Sequence, residues 1–344
     1  MADYIFGGTG AQGSPIVNEL SRSGKFTITV PTRDINSSSA TSLSTLPNVH
    51  LLTANYETER GLRAAFSGQD ACYFNLNSFT LSEAHEYFWT FRAYEIAVQS
   101  KLKWFVLSGG PDRLKLHGYE EKYRNSHGTV SGRLSGWLTN QPLEVLPWTV
   151  LYGGVYSQML SSLLRPVERD DGVFEFAAPI GKGAIPFVDV EDYGVRTRYA
   201  FENPGECVGK TIGWATWMTM YSELVTAFKN VTGKEAMFRD ITYDEWFERL
   251  SAYVDPETRM PPGVGDGDHT AFTFRQTFGA WWNLWKDNVR DLEREREREM
   301  EEWSDKVSPG RAKSIEEWMR KAGYTGEFKE VQKAKASHGQ QSPT

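Results

Sequence analysis

Residues 7–13 read Gly-Gly-Thr-Gly-Ala-Gln-Gly, set between an apolar strand candidate, Asp3–Phe6, and an amphipathic helix candidate, Gly13–Ser23. Few arrangements constrain a chain more. A strand, a glycine turn and a helix start, in that order, suit the pyrophosphate of a dinucleotide. Gly7 permits the tight turn, Gly10 lets backbone approach the phosphates, and Gly13 lets helix and strand pack closely. The free N–H groups and positive end of the helix would then hold the anion. The plainer reading of the same residues is a bare strand-to-helix turn.

The pattern continues along the first half. Strand candidates follow at Thr27–Pro31, Val49–Leu52, Ala71–Leu76, Trp104–Ser108 and Trp148–Tyr152. Between them lie helix candidates near Ala40–Leu46 and at Thr58–Phe66 and Ser82–Lys101. The strands are short apolar runs rather than alternations, as expected where helices cover both faces of a parallel sheet. This predicts an α/β, doubly wound (Rossmann) sheet over residues 1–155. Residues 156–330 are expected to form a smaller α+β substrate or lid region completing a cleft, and 331–344 a disordered polar tail.

In that second half, Val173–Phe176 reads as a strand, and Ser222–Thr232 and Thr242–Tyr253 read as helices. Pro261–Asp268 reads as a loop, and 271–303 as one long helix ending in alternating Glu and Arg. There i,i+3 pairs attract while i,i+4 pairs repel, so the run reads as a solvated face rather than a docking helix. Ser314-Ile315-Glu316-Glu317 is a capping box opening a last helix through Lys321. Trp281, Trp282, Trp285, Trp303 and Trp318 suit core or subunit contacts, or pockets for flat ligands.

Bulk properties narrow the function classes. A net charge of -7 disfavours a nucleic-acid partner. The cysteines, Cys72 and Cys207, form no metal pair. Histidines 50, 85, 117, 269 and 338 are scattered, and Asp266, Asp268 and His269 read as solvated loop residues, so no metal site is expected. A strand beginning almost at Met1 leaves no room for a leader, and no run approaches a membrane span. The expectation is a soluble, cytoplasmic protein without a membrane partner.

The end of strand two selects the cofactor. Arg33 follows Val30-Pro31-Thr32, with Ser37, Ser38 and Ser39 beyond. An arginine there accommodates the 2′-phosphate of NADP, and a guanidinium pairs with phosphate in bidentate fashion. NADP(H) is therefore expected. Asp34 is the competing reading, as a carboxylate for the ribose of NAD.

With these residues, the chain resembles the NmrA-like family of atypical short-chain dehydrogenases. The resemblance extends through Trp104–Gly109, Trp148–Tyr156, Val188–Gly194, Asn203-Pro204 with Val208–Ile212, and Ser314–Trp318, over roughly residues 3 to 325. It implies cofactor contacts from Gly7, Thr9, Gly10, Ala11, Gln12 and Gly13. It also implies phosphate contacts from Arg33 and Ser37, and adenine-side contacts from Asn55 and Tyr56. Asn77 would lie at the middle of the cofactor, and Val155, Tyr156 and Gln158 near the nicotinamide. Members range from reductases to NADP-binding regulators that act through protein partners, in cytoplasm or nucleus.

Short-chain dehydrogenases carry Tyr four residues before Lys, where lysine lowers the tyrosine pKa for proton transfer. No such pair occurs here; the near-copy is Tyr123-Arg124-Asn125-Ser126-His127. The resemblance places His127 where relatives carry the lysine. An imidazole can donate a proton or hold the cofactor ribose. His127 is thus the catalytic candidate; its plainer reading is a polar residue in a loop before a helix Val130–Leu138. Ser108 reads equally as facing the nicotinamide or as a strand-end cap, and Asp192 as a helix cap. Phe79, Phe88, Trp89, Tyr156 and Phe187 are candidates to line an aromatic cleft. The reading is an NADP(H)-dependent oxidoreductase reducing a small aromatic or conjugated substrate; the alternative is a non-catalytic NADP(H)-binding redox sensor.

Overall fold

The computed structural model describes residues 2–251, 253–261, 267–268, 271–287, 294–329 and 331. Strands β1 (Ala2–Ile5), β2 (Thr27–Thr32), β3 (Val49–Thr53), β4 (Ala71–Phe74), β5 (Trp104–Ser108) and β6 (Trp148–Tyr152) match the expected segments closely. So do helices α1 (Gly13–Ser23), α2 (Ser38–Ser44), α3 (Glu59–Phe66) and α4 (Glu83–Gln99). Thr58 and Ser82 cap α3 and α4 by accepting the Gly61 and His85 N–H groups. Then come α5 (Arg113–Leu116) and α6 (Ser126–Leu138).

The strands pair in parallel in the order β3-β2-β1-β4-β5-β6. Side-chain alternation on β1 shows why the sheet is wrapped. Ile5 packs with Ile16, Val17 and Leu20 of α1 on one face. Tyr4 and Phe6 pack with Leu62 and Phe66 of α3 and Ile96 of α4 on the other. All of these are essentially inaccessible to water, so both layers draw on the hydrophobic effect.

After β6 the chain builds two small sheets. Strands β7 (Val155–Tyr156), β8 (Val167–Glu168), β9 (Phe174–Ala178) and β10 (Ala184–Val188) are followed by α7 (Glu191–Glu202), α8 (Pro204–Cys207) and β11 (Thr211–Gly213). Then come β12 (Trp217–Met220), α9 (Tyr221–Thr232), β13 (Ala236–Asp240) and α10 (Tyr243–Leu250). The small sheets run β12-β10-β7 and β13-β9-β8. Residues 191–213 nevertheless return to the first layer. Helix α7 packs on α1, and β11 adds a seventh strand beside β6.

The stretch read as one helix over 271–303 instead contains α11 (Phe274–Lys286) and α12 (Arg294–Val307). Helix α11 stops at Asp287, whose carboxylate is held by Tyr123 at 2.6 Å and Lys122 at 3.0 Å. A final helix, α13 (Ile315–Lys321), is capped by Ser314; Glu317 reaches back to the N–H of Lys313, one residue before the cap. Trp281, Trp282, Trp285 and Trp318 lie in the core of the second half with Phe176 and Phe187, while Trp303 packs edge-on to Trp214. Most of the Pro261–Asp268 loop, Glu293 at the head of the Glu/Arg run, His269 and the tail beyond 331 fall outside the described residues.

Candidate functional site

Parallel strands diverge where the strand order reverses, between β1 and β4, and open a crevice at their carboxyl ends. The glycine turn lies there. Gly7 adopts a left-handed φ of 71°, and Gly10 donates to its carbonyl at 2.9 Å. A Cβ on Gly13 would collide with that carbonyl, so helix and strand meet at backbone distance. Gly8 is equally constrained and was not expected to be: a Cβ there would sit 2.7 Å from Val30. At Gly10 the Gly7 oxygen, 3.2 Å away, is the neighbour a Cβ would meet, so its outer side is open. Helix α1 has no side-chain cap. Its first-turn N–H groups, with Thr9 and Ala11 half-buried beside them, fit an anion's oxygens.

Gln12 departs from the expected backbone role. Its Nε2 donates to the Tyr73 hydroxyl and, at 2.8 Å, to Ser108 Oγ; its Oε1 accepts from the Tyr156 hydroxyl at 2.7 Å. One buried amide thus joins the glycine turn to β4, β5 and β7. Ser108 is therefore neither free nor a strand cap. Burial holds the Tyr156 phenol far above its ordinary pKa, so it stays protonated.

Arg33 is the first residue past β2, exposed, and without an ion-pair partner among the described residues. Its charge acts on the Tyr56 phenol, whose pKa burial raises and Arg33 lowers. Tyr56 sits edge-on to Phe6, with ring centroids 5.8 Å apart. A guanidinium at the end of strand two with no ion-pair partner among the described residues fits an adenosine carrying a 2′-phosphate. Ser37 is committed locally: its Oγ caps α2 and donates to the Asp34 carbonyl. Asp34 accepts from the Asn36 N–H at 2.9 Å, and Asn55 from the Glu57 N–H at 3.0 Å.

Beyond β4, Asn77 is exposed and accepts from the Phe79 N–H. Asn75, unforeseen, walls Gly7: its carbonyl oxygen and Nδ2 would both lie 3.3 Å from a Cβ there. Val155 and Tyr156 pair with Phe187 and Val188 of β10. Both ends of the Gln158 amide are engaged, with Asp189 at 2.6 Å and the Val190 N–H at 3.1 Å.

His127 is not in a loop before a helix. It is the second residue of α6, whose N-cap, Asn125, accepts the Gly128 N–H at 2.7 Å. The ring packs on Phe79 (centroids 5.0 Å apart) and toward Phe278 of α11 (6.3 Å). Its Nδ1 is sealed from solvent without a hydrogen-bond partner, and burial pulls the imidazole down to about 4. It is therefore neutral at neutral pH. Tyr123 is tied to Asp287, stacked on His117 and contacted by its neighbour Lys122, so its phenol is engaged with these groups.

Other expectations are corrected by packing. Phe187 is fully buried, so it does not line the crevice; Phe88 is 54% exposed, and Trp89, on α4 itself, packs against the core beneath that helix. Asp192 is the second residue of α7, not its cap; it accepts Trp214 Nε1 at 3.0 Å and is pushed up to about 6 by burial. Among the described residues, no helix is long and apolar enough to cross a membrane, and no group of three or more His, Cys, Asp or Glu side chains could hold a metal.

Comparison with known proteins agrees with this geometry. A model described as the NmrA-like family matches residues 4–109 and 143–318. The NmrA-like family domain-containing oxidoreductase hkm9 of Aspergillus hancockii is 27% identical over 285 residues, covering 76% of this chain and 81% of that protein. The crystal structure of NmrA, a negative transcriptional regulator, superposes with a TM-score of 0.70 at 16% identity, covering 93% of this chain and 94% of that one. The NADPH complex of the quinone oxidoreductase QOR2 from Escherichia coli gives a TM-score of 0.64 at 16% identity, covering 93% and 99%. At such identities the two structures establish a shared fold.

Proposed function

The chain belongs to the NmrA-like family, and from that premise we propose that it is an NADP(H)-dependent oxidoreductase acting on a small aromatic or conjugated acceptor. The observation that carries the reading is the pairing of an open glycine turn with the Arg33 guanidinium at the end of β2, which has no ion-pair partner among the described residues. The first fits a pyrophosphate, and the second distinguishes NADP(H) from NAD(H). Relatives named as oxidoreductases and an NADPH-bound neighbour support the same class.

When bound, the nicotinamide supplies the hydride. The protein's residues bind, orient and exclude water. Backbone N–H groups at the start of α1 hold the pyrophosphate. The Gln12 amide fixes Tyr156 and Ser108 relative to the turn, a preorganisation that limits how far the site rearranges. The His127 ring stands in a wall with Phe79, its Nδ1 sealed and without a partner among the described residues. Its depressed pKa removes it as an imidazolium proton donor near neutrality. This favours conjugated acceptors, whose reduced form spreads its charge until solvent protonates it.

A second reading has its own support. The lack of a Tyr-x-x-x-Lys spacing in the sequence and the likeness to a transcriptional regulator suit an NADP(H)-binding sensor that acts through a protein partner. Turnover separates the two. NADPH absorbance is followed with a panel of quinones, enones and aldehydes; consumption supports the reductase, whereas tight binding without consumption supports the sensor. Arg33→Ala should weaken NADPH binding about tenfold or more and leave NADH binding unchanged. Equal affinities of the native protein for both cofactors would refute the phosphate assignment.

A further inference from the structure

We infer that Glu86, acting through Ser78, is the positioning residue that sets the 75–81 segment at the crevice, and with it Asn77 and Phe79. The inference rests on the NADP(H) reading above and concerns a residue that reading does not use.

The segment leaves β4 and enters α4 at its cap, Ser82. Its own hydrogen bonds are local and centre on Asn77, whose side chain accepts from Phe79 N and whose carbonyl accepts from Thr80 and Leu81 N–H groups. These bonds shape a turn without fixing where it stands. Ser78 Oγ donates to Glu86 Oε1 at 2.9 Å and ties that turn to the body of α4. On either side of Ser78 stand Asn77, exposed at the crevice, and Phe79, packed on His127.

Glu86 is a costly residue to place there. It is 6% exposed, and its Oε2 is sealed without a partner. Burial, with Glu83 one turn earlier adding to it, pushes the carboxyl up to about 7. The cations nearby are already engaged: Arg124 from the segment before α6 and Arg133 from α6 both pair with Glu83 at 3.1 Å, and Tyr87 donates to it at 2.9 Å. From the 75–81 segment the Ser78 hydroxyl is the group Glu86 receives. A carboxylate accepts a hydroxyl hydrogen bond more strongly than a carboxylic acid does. The hold on the turn therefore tightens as Glu86 ionises across neutrality.

The test measures NADPH dissociation constants by fluorescence at pH 6 and pH 8, with melting temperatures recorded for each variant. Ser78→Ala and Glu86→Leu should weaken binding about five- to tenfold at pH 8, the loss of one charge-assisted bond. Glu86→Gln keeps an acceptor for Ser78, so it should bind within about twofold of native and lose the pH dependence between 6 and 8. Should Glu86→Leu fail to fold, Ser78→Ala decides, since it leaves the buried carboxyl in place. Native-like affinity in Ser78→Ala overturns the inference while the NADP(H) reading stands. A native protein that ignores NADPH overturns both.

Discussion

Neutrality of His127 at working pH is a claim that pH itself can test. Burial holds the folded-state imidazole at about 4, against an ordinary value of 6.5. For a base whose folded pKa is depressed, the unfolded chain binds the proton first. Stability is therefore full above pH 6.5 and falls as pH drops toward 4. The linkage relation gives a loss of about 2 kcal/mol at pH 5, approaching about 3 kcal/mol below the folded pKa. Buried acids act in the opposite sense: Asp3 and Glu86 are pushed up to about 7, so acidification relieves them. The native protein alone would thus hide the effect, and the informative quantity is its difference from His127→Gln. Urea unfolding of both at pH 8 and pH 5 should show the variant gaining about 2 kcal/mol on the native protein at the lower pH. In parallel, the His127 imidazole resonances should stay flat from pH 8 to pH 5. Titration near 6.5, or native and variant stabilities that move together, would refute the argument. An imidazolium proton donor would then return as a possibility.

Two further outcomes follow from buried polar groups. Asp192→Asn keeps an acceptor for Trp214 Nε1 and removes a carboxyl raised to about 6. The charged form carries the penalty, so the variant should gain up to about 3 kcal/mol at pH 8 and progressively less toward pH 4, read by urea midpoints. Gln12→Leu strands the hydroxyls of Tyr73, Ser108 and Tyr156; it should cost about 2–4 kcal/mol in unfolding free energy, and an unchanged urea midpoint would show the amide to be dispensable.

Much of the first layer could be read from the sequence because its signals are local. Gly7, Gly10 and Gly13 act within one turn, and Thr58, Ser82 and Ser314 cap helices three residues ahead of the N–H groups they accept. Helix α6 begins four residues before the Val130 start that the sequence predicts, because Gly128 in its first turn weakens the local helix signal. The signal that would have found it was Asn125, a strong N-cap residue. Strand β11 has three residues and no periodicity to detect; its place is set by register with Val150–Tyr152. Helix α11 ends at Asp287, anchored by residues more than 160 positions earlier. Distance along the chain is the common factor in the last two.

The same factor divides the site itself. Anion binding is carried by backbone N–H groups on one turn, so the turn alone announces it. Proton chemistry is carried by side chains whose states depend on what covers them. His127 is neutral because Phe79 and Phe278 approach from segments 48 positions before it and 151 after it. Tyr156 is held by an amide 144 positions away. A sequence can therefore state that a dinucleotide fits well before it can state which group has a proton to give. Here the folded surroundings leave that site a neutral imidazole and a phenol already donating to Gln12. Under the reductase reading proposed above, an acceptor that tolerates delayed protonation suits such a pair.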